Sequence, residues 1–230
     1  MNHLDKELQY LRELSVEMME IVRNQILSSK TAILNFDHGI AESILRTESR
    51  VDALELNIEK ECENIIALYQ PVAADLRFIL SIFKSVSDIE RIGDHAVFIA
   101  KNLLDRTEPF DKVLVENINM SAMFDSTIEL FDDVIMAMNC QDTQIARNTF
   151  KKDKDINKSF KKSVKVLKEE ISKINQASDD IILLYATEAR LERTGNLLSN
   201  VAEEIIFHVE AKVLKHDKQA KKDIRAAQKD

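Results

Sequence analysis

The chain has 230 residues, a formal net charge of −8 at pH 7 and a pI of about 5.3. This acidic balance disfavours a general attraction to nucleic acid or to anionic membranes. Glycine and proline are scarce, with 3 and 2 residues, which is typical of long helices. No apolar run approaches the roughly 18 residues of a membrane span, the N-terminus has no signal pattern, and two distant cysteines suit a reducing compartment. We therefore expect a cytoplasmic protein.

Breaks in the helical periodicity predict six long helices, three in each half of the chain. The first break lies at residues 37–39 and the second at the Gln70-Pro71 step, because proline disfavours helical geometry in the preceding residue. Asp142 and Ser178 are predicted N-caps. Short connections predict antiparallel neighbours, and no segment has the alternation of a strand. The helices are expected near 3–35, 40–69, 73–105, 112–138, 143–174 and 178–214.

The string Glu-Arg-x-Gly occurs twice, beginning at Glu90 and at Glu192, so the two copies lie 102 residues apart. Each copy places a glycine, Gly93 or Gly195, inside a predicted helix. Because glycine costs roughly 1 kcal/mol there relative to alanine, the matched pair suggests a close backbone approach at both positions. Residues around the second helix of the first half recur at a constant offset of 105. The chain is therefore interpreted as a duplication.

This duplication predicts two similar domains. The first three-helix bundle is expected at 1–106 and the second at 110–216, followed by a charged, frayed tail at 217–230. The change in offset indicates loss of about three residues from a connection, where changes in length are tolerated. The predicted fold class is all-α, with two tandem three-helix bundles of like topology.

Acidic residues fall within the predicted apolar stripe of the third helix. At about 100° per residue, Glu90 lies among Val86 and Val97, and Asp94 follows one turn later. An unpaired carboxylate on a buried face costs several kcal/mol, so a bound cation is the simplest compensation. We expect His95 on the opposite, exposed face of the helix. The second helix has a further acidic column, formed by Glu48, Asp52, Glu55 and Glu59.

Ligation by oxygen alone favours hard ions such as Mg²⁺ and Mn²⁺, with iron also compatible. Two of the four anionic positions are neutral amides in the second half, where lower ligand charge predicts weaker binding. An alternative is that the acids line a solvated groove or pair with arginine across a subunit contact, for which Arg50, Arg91 and Arg193 are available. The second-half positions are Asp153, Asn157, Glu192 and Asn196.

Over about residues 1–214 the chain resembles the PhoU family of phosphate-signalling regulators. The most specific stretches are Gln-Pro-Val-Ala-Ala-Asp-Leu-Arg-Phe-Ile from Gln70 and Asp-Ile-Glu-Arg-Ile-Gly-Asp-His-Ala from Asp88. The resemblance implies two tandem three-helix bundles whose Glu/Asp-x-x-x-Asp motifs bind metal clusters in some members. The implied metal is divalent or trivalent: magnesium, manganese or iron, with zinc as a further candidate. The motifs match Glu48/Asp52, Glu90/Asp94, Asp153/Asn157 and Glu192/Asn196, and the asparagines depart from the pattern.

The resemblance further implies a non-enzymatic, homodimeric regulator that restrains phosphate uptake and helps to silence the phosphate regulon. Its implied partners are the ATPase subunit of a Pst-type ABC transporter and the PAS region of a sensor histidine kinase, so membranes are met only through partners. Two alternatives stay open, a metal-free helical adaptor and an accessory protein of a low-affinity phosphate permease. No Glu-x-x-His motif, Gly-rich phosphate loop or Gly-x-Ser-x-Gly elbow is present, so no catalytic residue is assigned.

Overall fold

The structure, a computed structural model, describes residues 3–174 and 179–214. Within these ranges the chain is helical and contains no strand, which confirms the predicted all-α class. The described helices are α1 (His3–Asn35), α2 (His38–Tyr69), α3 (Ala73–Leu104), α4 (Lys112–Asn117), α5 (Met120–Cys140), α6 (Thr143–Ile174) and α7 (Asp179–Glu210).

Polar caps and a proline define several of the helix ends. The side chain of Asp37 accepts a hydrogen bond from the backbone N–H of Ile40 at 2.9 Å, which caps the N-terminus of α2. Gln70 adopts the left-handed conformation directly before Pro71 and ends the same helix. Asp142 accepts from two N–H groups in the first turn of α6, so its predicted capping role is confirmed.

The helix predicted at 112–138 is wrong in one respect, because the structure divides it into α4 and α5. Asn119 lies between them with φ of 59°, a left-handed conformation that asparagine tolerates better than most residues. The apolar period continues through the break, which is why the pattern conceals it. The last helix ends at Glu210, short of the predicted 214, since Ala211 also has a positive φ. The proposed cap Ser178 and the tail at 217–230 lie outside the described residues.

Helices α1, α2 and α3 pack on one another, and α5, α6 and α7 do the same. The two groups join through α3 against α7 and through α1 against α5. The core is aliphatic with a few large aromatic residues, including the fully buried Phe124 and Phe131. None of the described helices combines the length and apolarity that crossing a membrane requires.

The two motif glycines allow the close approach that their positions predict. A β-carbon built on Gly93 would lie 3.3 Å from Gln25 Oε1 on α1 and 3.5 Å from Val51 Cγ1 on α2. On Gly195 it would lie 3.1 Å from an oxygen of Asp153 on α6. The neighbours of the two glycines are related by the internal offset of 105. Val51 beside Gly93 corresponds to Ile156 beside Gly195, and Gln25 corresponds to Leu130. The duplication is therefore present in the packing of the two bundles.

Candidate metal face and the adjacent cleft

The first-half acids lie along one edge of the contact between α2 and α3. Asp52 and Asp94 are exposed, whereas Glu48 and Glu90 are half-buried. The expectation that these acids point into the apolar interior is therefore wrong, because they lie at its rim. The physical reason is that α3 is buried on a broad arc centred near Ile89, roughly 100° from Glu90 around the helix.

The acids of the two helices nevertheless face one another and interact. Burial, followed by the charges of Asp94, Glu55 and Asp52, raises the pKa of Glu90 to about 7 against a smaller opposing effect of Arg91. Burial and neighbouring carboxylates also raise the pKa of Glu55. In the described part of the chain, no basic side chain lies within 4.0 Å of the carboxylates of Asp52, Glu90 or Asp94. Glu48 differs, since Lys101 Nζ lies 3.9 Å from its Oε1. Among the four first-half acids, only Glu48 therefore has a basic group within 4.0 Å in the described residues.

The donor chemistry of this face suits a hard cation, because every candidate ligand is a carboxylate. The carboxylates are not gathered at one point: in residues 3–174 and 179–214, no group of three or more His, Cys, Asp or Glu side chains is arranged to hold a metal ion. Asp52 and Asp94 are exposed, so their side chains have the rotational freedom to converge on an ion. Binding here would require side-chain rotation on a fixed pair of helices.

In the second half, the amide side chains engage the acids of their own helices. Asn157 Nδ2 donates to Asp153 Oδ1 at 3.2 Å and to the Asp153 carbonyl at 3.0 Å. Asn196 Nδ2 donates to Glu192 Oε1 at 3.0 Å. These N–H groups partly satisfy the two carboxylates, which lowers the negative charge that each carboxylate can offer to a cation. This arrangement is consistent with weaker cation binding in the second half.

A cleft of about 390 Å³ lies beside the acidic face, between α3 and α7. Phe98 and Val97 form part of its apolar lining. Its charged lining consists of four cations and two acids: Arg91, Lys101, Arg190, Arg193, Glu48 and Asp94. The cleft therefore has an excess of positive charge although the whole chain is acidic.

His95 also lines this cleft, and its predicted exposure is wrong. Its Nδ1 lies 3.0 Å from Thr194 Oγ1 of α7, and burial together with the charges of nearby arginines lowers its pKa to about 4. The polar side of α3 is covered because α7 presents complementary polar groups. Lys84 Nζ lies 3.4 Å from a carboxylate oxygen of Glu204 and, one turn further along α3, Asn200 donates to Asp88 at 3.1 Å. Lys84 and Asp88 on α3 are four residues apart, as are Asn200 and Glu204 on α7. This matching spacing of polar residues is the sequence signal that could have indicated the contact.

A buried carboxyl group in the second bundle was missed by the sequence analysis. Glu188 on α7 is 0% exposed, and neither of its oxygens has a hydrogen-bond partner in the described residues. Burial raises its pKa to about 8; nearby Ser163 opposes the shift, although that hydroxyl donates to the Ile118 carbonyl at 2.9 Å. The position 102 residues earlier is Val86, so a comparison of the two copies could have revealed the substitution.

The sequence of this chain is similar to a known protein family and to several of its members. The family model described as "PhoU domain" matches residues 16–103. A "Phosphate-specific transport system accessory protein PhoU homolog 1" from Thermotoga maritima is 30% identical over 207 residues, which cover 89% of this chain and 88% of that protein. A homolog from Aquifex aeolicus is 33% identical over 157 residues, covering 68% and 70%.

Two crystal structures share the fold over nearly the whole chain. PhoU from Pseudomonas aeruginosa has a TM-score of 0.82 and 26% identity, with 91% of this chain and 100% of that chain covered. The phosphate transport system regulatory protein PhoU from Streptococcus pneumoniae has a TM-score of 0.83 at 23% identity, covering 92% and 99%. This similarity extends through both bundles, and with the sequence identities above it shows that the chain belongs to the PhoU family.

Proposed function

We propose that this protein is a cytoplasmic negative regulator of phosphate uptake and of the phosphate regulon. In this role it acts as a homodimer through contacts with the ATPase subunit of a Pst-type transporter and with a sensor histidine kinase. The observation that carries the proposal is the match to phosphate-specific transport system accessory proteins along nine-tenths of the chain. An accessory protein works by contact with other proteins, so the proposal includes no catalytic step.

The acidic edge of α2 and α3 supports a second part of the proposal, a metal bound by Glu48, Asp52, Glu90 and Asp94. Burial and the negative charges of Asp94, Glu55 and Asp52 raise the pKa of Glu90 to about 7, and the charge of Arg91 offsets only part of that rise. A divalent ion, with Mg²⁺ and Mn²⁺ favoured and iron or zinc as further candidates, would balance the remaining negative charge. By joining carboxylates of the two helices, a bound ion would stiffen the α2–α3 edge.

Metal content tests the metal assignment. Protein purified without chelator is titrated with Mn²⁺, and free ion is followed by electron paramagnetic resonance. Glu90→Gln combined with Asp94→Asn should lower the bound manganese substantially, because it removes two of four charged ligands. The matched control is Glu192→Gln at the second-half equivalent of Glu90, for which a smaller loss is expected. Unchanged manganese binding in the first-half variant would remove the assignment.

Direct binding to partners tests the regulatory role. The full chain is presented with the transporter ATPase subunit, with the cytoplasmic region of the kinase and with a low-affinity phosphate permease, with added Mn²⁺ or with chelator. Regulation of the proposed kind predicts capture of the ATPase and kinase. Capture of the permease alone would replace the proposal with the permease-accessory alternative. Capture of the ATPase and kinase that chelator and the Glu90/Asp94 variant leave unchanged would favour a metal-free adaptor.

A further inference from the structure

The cleft between α3 and α7 contains positive charge that carboxylates do not balance. Lys101 lies 3.9 Å from Glu48, and Arg91 lies 3.5 Å from Asp88. In the described ranges, Arg190 and Arg193 have no carboxylate within 4.0 Å. The cleft volume of about 390 Å³ falls in the range of small-molecule sites. Two guanidinium groups are therefore available to a ligand in a concave site.

One of these guanidinium groups is held in position by the protein. Arg190 is half-buried, and its Cζ lies 4.2 Å from the centroid of the Phe98 ring. Stacking on an aromatic face leaves the edge of the guanidinium free to donate hydrogen bonds. Arg91 and Arg193 line the cleft together with Arg190, so the three side chains surround one concave region.

The internal duplication shows that this concentration of cations is specific to one edge of the α3–α7 contact. The offset of 102 pairs Asp88 with Arg190 and Phe98 with Asn200. Asp88 of α3 contacts Asn200 of α7, and Phe98 of α3 contacts Arg190 of α7. The two contacts therefore use the same two positions of the repeat, but each position lies on α3 in one contact and on α7 in the other. One edge consequently has an acid where the other has Arg190.

At a second pair of repeat positions, the cleft again has a cation where the other copy has an acid. Lys101 lines the cleft, and its counterpart at the offset of 102 is Glu203. Arg91 and Arg193 are counterparts of one another and line the same cleft. The duplicated motif therefore contributes an arginine from each copy, and the two reversed positions add cations on this side alone.

We propose that this cleft binds a small oxyanion of the phosphate class between Arg91, Arg190 and Arg193. A planar guanidinium can donate two parallel hydrogen bonds to phosphoryl oxygens. Three guanidinium groups therefore provide several donors of fixed geometry, whereas lysine ammonium groups are flexible point charges. The ligand is either free inorganic phosphate or the phosphoryl group of a phosphomonoester, since both present the same oxygens. The inference stands on the cleft alone and does not depend on the proposed regulatory role.

Calorimetric titration of the full chain with inorganic phosphate, and separately with glycerol 3-phosphate, tests the proposal. The buffer contains chelator, so that a phosphate–metal complex on the acidic face makes no contribution. Arg190→Gln and Arg193→Gln should each weaken binding by at least about tenfold, since a charge-assisted hydrogen bond contributes on the order of that ratio. Arg46→Gln on α2, an exposed arginine paired with Glu42, is the matched control and should leave binding unchanged.

The thermal midpoint of each variant shows whether it is folded, and Arg193→Gln, at an exposed position, serves if Arg190→Gln unfolds the chain. Tighter binding of inorganic phosphate supports the free ion, and tighter binding of glycerol 3-phosphate supports the esterified group. The proposal is overturned if neither compound binds at millimolar concentration, or if Arg190→Gln and Arg193→Gln both bind as tightly as the native chain. Partner capture is measured separately, so failure of one proposal does not imply failure of the other.

Discussion

Glu188 in the second bundle occupies the position that Val86 occupies in the first, and both side chains are buried, at 0% and 1% exposure. Ser163 and Ile58, separated by the offset of 105, show the same replacement of an apolar residue by a polar one, and both are also buried. The core of the second bundle thus contains a carboxyl group where that of the first is aliphatic. This difference predicts that the stability of the second bundle depends on pH.

Glu188→Val should reduce the pH dependence of unfolding. The pKa of Glu188 is raised to about 8, so the folded chain keeps this carboxyl protonated up to that pH, whereas the unfolded chain ionises it near 4.5. The contribution of this proton to the free energy of unfolding is complete below pH 4.5, and it is lost as the pH rises through 8. The variant should therefore be more stable than the native chain at pH 9 by roughly 2–4 kcal/mol, with a smaller gain at pH 5.

Urea unfolding at pH 5, 7 and 9 measures this difference. The exposed acid Glu129 on α5 provides a control, because Glu129→Val removes the same charge without relieving a buried group. Equal pH profiles for Glu188→Val and the native chain would show that the buried carboxyl is solvated or paired.

Glycine-to-alanine changes should distinguish the two motif copies. Alanine gains roughly 1 kcal/mol of helix propensity at either position, but its β-carbon meets a different neighbour. At Gly93 that neighbour is Gln25, which is 3% exposed and donates to Thr47 Oγ1 at 2.9 Å, so it has little freedom to move. At Gly195 it is Asp153, which is half-buried and accepts at Oδ1 from Asn157 Nδ2 of its own helix at 3.2 Å, so these two half-buried side chains can shift together toward solvent.

Gly93→Ala is expected to destabilise the chain by about 1–2 kcal/mol, because overpacking exceeds the propensity gain. Gly195→Ala is expected to change stability by less than about 1 kcal/mol. Urea unfolding of both variants at one pH provides the comparison. The reverse order would mean that Asp153 is the more tightly held neighbour.

Restoring acids in the second half should create a stronger cation site there. Asn157→Asp with Asn196→Asp removes the amides that donate to Asp153 and Glu192 and adds two negative charges. Affinity of an oxygen site rises with ligand charge, so Mn²⁺ titration should reveal an added or tightened binding event. Without metal, the same variant should unfold at lower temperature because like charges face each other. A native-like titration would argue that the backbone of α6 and α7 prevents the acids from converging.

Cation binding should lower the apparent pKa of Glu90 from about 7. The metal-free value is raised by burial and by neighbouring negative charge, and an ion among the carboxylates favours the ionised form. Carbon-detected NMR of the side-chain carboxyl, with and without Mg²⁺, measures the shift, and Glu90→Gln assigns the signal. An unchanged titration curve at saturating Mg²⁺ would place the ion elsewhere.

Much of the fold follows from patterns along the chain. The helix interruptions at Asp37 and Gln70 depend on local capping and on a proline, so they are readable from neighbouring residues. The duplication is equally readable, because Gly93 and Gly195 recur in matched strings. By contrast, Asn119 interrupts a continuous apolar period, and only its left-handed backbone in the folded chain divides α4 from α5.

The sequence by itself determined the all-α class, the repeat and the candidate acids, since these depend on residue type and spacing. The tertiary structure decided which faces are covered. A polar face is exposed by default, but that of α3 packs against α7 because Lys84 meets Glu204 and His95 meets Thr194. This second contact broadens the buried arc of α3 and leaves Glu90 at its rim. Periodicity describes one helix at a time, whereas burial depends on the complementary groups that a distant helix presents.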